Sequence, residues 1–221
     1  MTQARLPAAT IAGADETVIM AHGLWTNAHV LAFQRRWLAA LGFRVRAVSY
    51  PSWGDGLADN ARRLAEAIGD TPGDIIHLVA HSLGGLVALR MLAQMPDPRL
   101  RRLVLMGTPC AGGHCVSVAL RTPLLAWAVG RTYRDWLRQP SVRLAGAVDV
   151  GVIAGTLAIG LGRLLPGLPA PNDGMVAVAE TQLAGAKDRI DLPVCHTGML
   201  LSHACTRQIA SFLRTGRFAH D

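Results

Sequence analysis

The chain has 221 residues, 51% of them hydrophobic and 17% charged, with a formal net charge of +7. That length allows one domain with a substantial core, and that composition excludes an intrinsically disordered chain. The positive charge is almost all arginine, with Lys187 the single lysine. It is scattered in singles and pairs such as Arg35-Arg36, Arg62-Arg63 and Arg101-Arg102, which excludes a nucleic-acid-binding run and leaves a solvated basic surface with at most weak attraction for anionic membrane or an acidic acyl carrier.

In chain order, residues 17–21 form a compact apolar run ending at His22-Gly23, and 30–41 carry helical spacing. Residues 44–50 are strand-like and end at Pro51, and 57–68 form an amphipathic helix striped by Leu57, Ala61, Leu64, Ala65 and Ile68. A β-rich run at 75–80 leads into a helix at 83–95 stopped by Pro96. Strands are expected at 103–106, 148–154 and 190–195, and a closing helix at 199–213. The apolar stretch 148–165 is broken by Asp149, Arg163 and four glycines. It is too short and too interrupted to span a membrane and reads as a buried strand running into a loop.

Strands alternating with helices predict an α/β three-layer sandwich, a mostly parallel sheet of about six strands with helices on both faces. A single domain over 1–221 is expected, with a cap-like insertion at about 112–147, where the alternation lapses. Ligands of such sheets sit beyond the carboxyl ends of the strands.

That rule selects residues. Ala80-His81-Ser82-Leu83-Gly84-Gly85 places a serine on a sharp turn from strand to helix, where small neighbours let backbone pack on backbone. Alanine stands where the usual Gly-x-Ser-x-Gly has its first glycine. A serine N-cap gives the same local pattern; the preceding β-rich run favours a nucleophile. Serine needs a base and the base an orienting carboxylate, in the order Ser, acid, His. Of the later histidines, His196 follows the strand expected at 190–195. His203 falls about two turns into the last helix, His220 in the tail and His114 in the insertion. Among acids, Asp149 and Asp191 open strands, at the wrong end. Asp173, in the Asn172-Asp173-Gly174 turn, meets both order and topology. The N–H groups of Leu24, after Gly23, and of Leu83 would then form an oxyanion hole. Trp25, Met175 and Met199, beside these motifs, are candidate substrate contacts.

The four cysteines, Cys110, Cys115, Cys195 and Cys205, make no CxxC pair, which argues against a zinc or redox site. Residues 1–16 lack the apolar core of a secretory signal. Free thiols in the cytoplasm are expected, although bridges between Cys110 and Cys115 or Cys195 and Cys205 stay open.

Three blocks resemble the α/β-hydrolase superfamily, and within it the small bacterial lipases of the lidless Bacillus type: Val18-Ile19-Met20-Ala21-His22-Gly23-Leu24, Leu78-Val79-Ala80-His81-Ser82-Leu83-Gly84-Gly85, and 172–202. The Ala-His-Ser-x-Gly-Gly variant is itself a feature of those lipases. Val194-Cys195-His196-Thr197-Gly198-Met199 is similar to their catalytic-histidine loop, and Gly107-Thr108-Pro109 to a strand-end motif of acyl hydrolases. The resemblance implies a carboxylic-ester hydrolase with an acyl-enzyme intermediate, acting on a small-molecule or lipid ester, with no metal or organic cofactor. An acyl thioesterase and a non-catalytic binding module on the same scaffold stay open as alternatives. The insertion departs from the minimal lipases. Its Val116, Leu124, Leu125, Trp127 and Val129 either line an acyl pocket or cap the sheet. With only about sixteen residues before the first strand, the two leading antiparallel strands of larger hydrolases are not expected.

Overall fold

The computed structural model describes residues 16–138, 146 and 148–220. The expectations for the leader and the leading strands (1–15), the end of the insertion (139–145 and 147) and the side chain of Leu124 lie outside the described residues.

Six strands, β1 (Glu16–Ala21), β2 (Arg44–Val48), β3 (Ile75–His81), β4 (Leu100–Met106), β5 (Asp149–Gly155) and β6 (Asp188–Leu192), form one sheet in the order β2-β1-β3-β4-β5-β6. Every described pairing within this sheet is parallel. Strand side chains alternate between faces, and the core divides accordingly. Ile19, Leu78, Ala80, Leu103, Leu105, Val150 and Val152 face α2 (Leu57–Gly69) and α3 (Leu83–Gln94). Val18, Met20, Val79, Val104, Met106 and Ile153 face α1 (Ala32–Ala40) and α7 (His203–Thr215). Both faces are covered, so the inner strands β1, β3, β4 and β5 are apolar over most of their length, whereas the edge strands β2 and β6 carry charged residues. The result is the expected three-layer α/β sandwich.

Several boundaries move for identifiable reasons. The last strand ends at Leu192 because Pro193 has no N–H to continue the ladder. His196 therefore sits four residues beyond the strand, in a loop. Asp191 lies near the carboxyl end of β6 rather than opening it, and its side chain pairs with Arg189 at 3.1 Å. The helix expected at 199–213 is divided. A 3-10 turn, Gly198–Leu201, precedes Ser202, whose side chain caps α7 by accepting from the Cys205 N–H at 3.2 Å. His203 is thus the first residue of that helix, exposed and stacked on Trp37 at 3.6 Å. The helix expected at 30–41 likewise begins as a 3-10 turn, Ala28–Leu31.

Between β4 and β5 lie α4 (His114–Leu120), α5 (Pro123–Ala128) and α6 (Gly130–Leu137). Tyr133 and Trp136 of α6 pack with the α2–α3 side of the core, which ties the inserted helices to the carboxyl end of the sheet. The stretch 148–165 is buried as far as β5. Its loop then exposes Leu157, Ile159, Leu161 and Leu164. All four cysteines are free. No described helix is long and apolar enough to cross a membrane.

Candidate active site

Ser82 follows β3 directly and precedes α3, with φ 54° and ψ −124°. A non-glycine residue in this region costs about 1–3 kcal/mol and persists only where its surroundings enforce it. The enforcement is visible. The Ser82 N–H donates to the Met106 carbonyl at 2.9 Å, and the Gly85 N–H returns to the Ser82 carbonyl at 3.0 Å. A methyl group on Gly84 would stand 2.6 Å from the His22 carbonyl oxygen and 2.7 Å from that of Ala21. The turn thus needs glycine there, whereas Ala80 is accommodated, fully buried, at the first position of the motif.

The structure brings the three expected residues into one chain of hydrogen bonds. Ser82 Oγ lies 3.0 Å from His196 Nε2, and His196 Nδ1 lies 2.7 Å from Asp173 Oδ2. The carboxylate can only accept, so Nδ1 carries the imidazole proton and Nε2 accepts from the serine hydroxyl. Asp173 is 0% exposed, yet both its oxygens are used. Oδ1 accepts from the N–H groups of Met175 at 2.9 Å and Val176 at 2.7 Å. A buried charge needs such partners. The backbone repeats the link, with the His196 N–H donating to the Asp173 carbonyl at 2.8 Å.

The Gly23-Leu24 segment is fixed from behind. The buried His22 donates through Nδ1 to the Gly23 carbonyl at 2.9 Å and accepts at Nε2 from the Tyr50 N–H at 3.2 Å. Its ring stacks on Tyr50 at 4.2 Å, and the Tyr50 hydroxyl donates to the His22 carbonyl. Burial lowers the His22 pKa, which keeps the ring neutral for this pattern.

A cavity of about 860 Å³ opens over Ser82. Leu24, Leu83, Trp25 and Met175 line it, and Met199 does not. Met199 is fully buried in the α1–α7 side of the core, because the 3-10 turn at 198–201 directs it inward while Leu200 and Leu201 face the cavity. Of the inserted apolar residues, Val116, Leu125 and Val129 line the cavity. Trp127 turns outward, 68% exposed, with its ring tilted against Trp53 at 4.8 Å. Among the described lining residues there is no Asp, Glu, Lys or Arg. Cys115 is neutral there as well, its thiol pushed up to about 11 by burial and then by Glu180.

Two residues of this neighbourhood have no role in the sequence reading. His81 directly precedes Ser82 in the motif, with nothing in the pattern to mark it. Gln34 is one more polar residue on an amphipathic helix, with nothing local to mark it.

An all-parallel sheet with a strained serine at a strand-to-helix turn, backed by a histidine and a buried aspartate, defines a hydrolase-type α/β protein. The chain belongs to the alpha/beta hydrolase family, whose model matches residues 18–214. Among solved structures, a mature lipase from Bacillus licheniformis has a TM-score of 0.67 at 16% identity over 91% of each chain. A metagenomic carboxyl esterase has a TM-score of 0.66 at 20% identity, covering 88% of this chain and 68% of that one. A carboxylesterase from Bacillus subtilis has a TM-score of 0.55 at 16% identity, over 90% of this chain and 83% of that one. At these identities the likeness is one of fold. No curated protein matches the sequence significantly.

Proposed function

We propose that the protein is a serine hydrolase that cleaves carboxylic esters carrying an apolar acyl chain. The observation that carries this reading is the Ser82–His196–Asp173 hydrogen-bond chain opening into a cavity with no Asp, Glu, Lys or Arg among its described lining residues. Esterases and lipases among the similar folds support it.

In this mechanism the Ser82 oxygen attacks the ester carbonyl carbon as its proton passes to His196 Nε2. The imidazolium that forms is stabilised by Asp173, whose orientation the Met175 and Val176 N–H groups hold. Negative charge gathers on the carbonyl oxygen, where the N–H groups of Leu24 and Leu83 would donate. A donor of this kind is worth about 3–4 kcal/mol in the transition state. Collapse expels the alcohol, which takes the proton from His196. Water then enters, loses a proton to His196, and releases the acid from Ser82.

The inserted helices act as a cap in a single hydrolase domain, and Trp25 and Met175 contact substrate. The cavity lining includes the exposed Trp25, Phe33, Leu161, Leu164 and Leu201, and the exposed Arg35, Arg36 and Arg163 lie within three residues of them in sequence. This pattern favours weak contact with an anionic lipid surface. Four free thiols fit a reducing compartment, and we place the protein in the cytoplasm.

The test is turnover of p-nitrophenyl esters from acetate to palmitate by the wild type and by Ser82→Ala. Activity is expected to collapse by at least about 10³-fold in the variant with the fold intact; retained turnover overturns the serine mechanism. Faster turnover of acyl thioesters than of matched esters would make the protein a thioesterase. Failure of a fluorophosphonate to label Ser82 would make the site non-catalytic.

A further inference from the structure

His196 stands in a loop, four residues past β6, so strand pairing does not fix its backbone. Backbone hydrogen bonds hold the approach to it. The Thr156 N–H donates to the Leu192 carbonyl at 2.9 Å, and that of Leu157 to the Val194 carbonyl at 3.2 Å. Farther on, Met199 N–H donates to Cys195 O at 3.0 Å and Leu200 N–H to Thr197 O at 3.1 Å. Besides the Thr156 hydroxyl on the Leu192 carbonyl, two carbonyls of this segment take side-chain donors 115 and 165 residues away in sequence. His81 Nε2 lies 3.0 Å from the His196 carbonyl oxygen, and Gln34 Nε2 lies 2.6 Å from that of Met199, which otherwise has a 3.4 Å bond from the Ser202 N–H.

We propose that His81 and Gln34 are positioning residues that clamp the loop carrying His196, at His196 itself and at Met199 three residues on, and so set the angle at which its imidazole meets Ser82. This rests on the catalytic reading of Ser82 and His196.

Two observations argue against ordinary packing. Gln34 is fully buried, and its side-chain oxygen has no hydrogen-bond partner among the described residues. An apolar side chain of the same length would avoid that desolvation loss, so the amide is retained against the interest of the core. His81 is buried with its ring 4.7 Å from that of His196, a location where a second positive charge would oppose imidazolium formation. The environment prevents such a charge. Burial first, and the neighbouring His196 second, push the His81 pKa down to about 3. As a neutral ring facing a carbonyl, it must carry its proton on Nε2, the donating atom. The clamp is thus made from uncharged donors, which leave the charge on Asp173 undisturbed.

The variants are His81→Leu, His81→Gln and Gln34→Met. Each is measured for ester turnover, fluorophosphonate labelling rate and melting temperature. A misplacement of about 1 Å at a catalytic group costs about 10²-fold, so His81→Leu and Gln34→Met are expected to lose about 10- to 100-fold in kcat and labelling rate, with KM little changed. His81→Gln retains a donor and is expected to recover a large part of the loss. Melting of Gln34→Met is expected to be unchanged or raised. A merely structural role predicts that stability and activity fall together, without recovery in His81→Gln, and that outcome overturns the proposal.

A readout independent of turnover is the downfield proton resonance of the His196 Nδ1–H, recorded at one pH. Gln34→Met and His81→Leu are expected to shift or broaden it. An unchanged resonance with unchanged labelling overturns the clamp. A wild type that never labels overturns the catalytic reading instead, and the resonance then decides the clamp alone.

Discussion

Two histidines on one strand are buried on the same face of the sheet and differ in what they touch. His77 lies toward the amino end of β3 and His81 at its carboxyl end. Both are held neutral by burial, His77 at about 4 with Arg102 and Arg101 contributing, and His81 at about 3. His81 donates to the loop that carries His196. His77 has no hydrogen-bond partner at either ring nitrogen among the described residues, and its Nε2 only comes within 3.6 Å of a Glu16 carboxylate oxygen. A depressed pKa therefore does not mark a functional residue by itself. What distinguishes the two is the end of the sheet at which each sits, and so what each can touch.

The sharpest way to break this contrast is to alter a partner at the functional end. Asp173→Asn keeps the shape but removes the charge and disturbs the tautomer of His196, and is expected to lower kcat about 10⁴-fold with the fold retained. A loss of only a few-fold would mean that Asp173 does not serve the histidine. Below that comes His81→Leu, with the 10- to 100-fold loss given above; His77→Leu should match wild-type turnover within about twofold at pH 8.

The pH dependence of folding sharpens the contrast from the other side. Each ring titrates near 6.5 when unfolded and well below that when folded. Between about pH 6.5 and 4 the unfolded chain binds more protons than the native one. The stability these rings contribute is therefore complete above about pH 6.5 and is lost as pH falls, at about 1.4 kcal/mol per pH unit for each ring. Urea midpoints at pH 7.5, 6 and 5 should trace this decline. His77→Leu should make it shallower, and an unchanged slope would show that His77 is not held neutral.

The inserted helices offer the same lesson on a smaller scale. Val116 faces the cavity, and enlarging it in Val116→Phe should penalise palmitate relative to acetate about tenfold, equivalent to the burial of roughly two methylenes. Trp127→Ala should leave the chain-length profile within about twofold, because that ring turns to solvent and to Trp53. A shifted profile in Trp127→Ala would return the tryptophan to the acyl site.

The sequence by itself determined the sheet and which residues gather at its carboxyl end. Apolar runs alternating with helical stripes specify a parallel, doubly covered sheet, because only that arrangement buries both faces of such strands. The Ala80–Gly85 pattern placed Ser82 on its strand-to-helix turn because the steric demands are local: a turn that admits serine at positive φ needs glycine where the carbonyls of Ala21 and His22 approach. His196 was selected by order and topology even though the strand before it stops at Pro193.

Tertiary structure alone decided which side chains surround these groups. Met199 turned into the core and Trp127 to the surface because a short 3-10 turn and the contact of Trp127 with Trp53 set their directions, and neither follows from spacing. Gln34 reaches a carbonyl 165 residues away in sequence. No period or motif encodes such a contact, since it arises only when α1 and the histidine loop pack on the same face of the finished sheet.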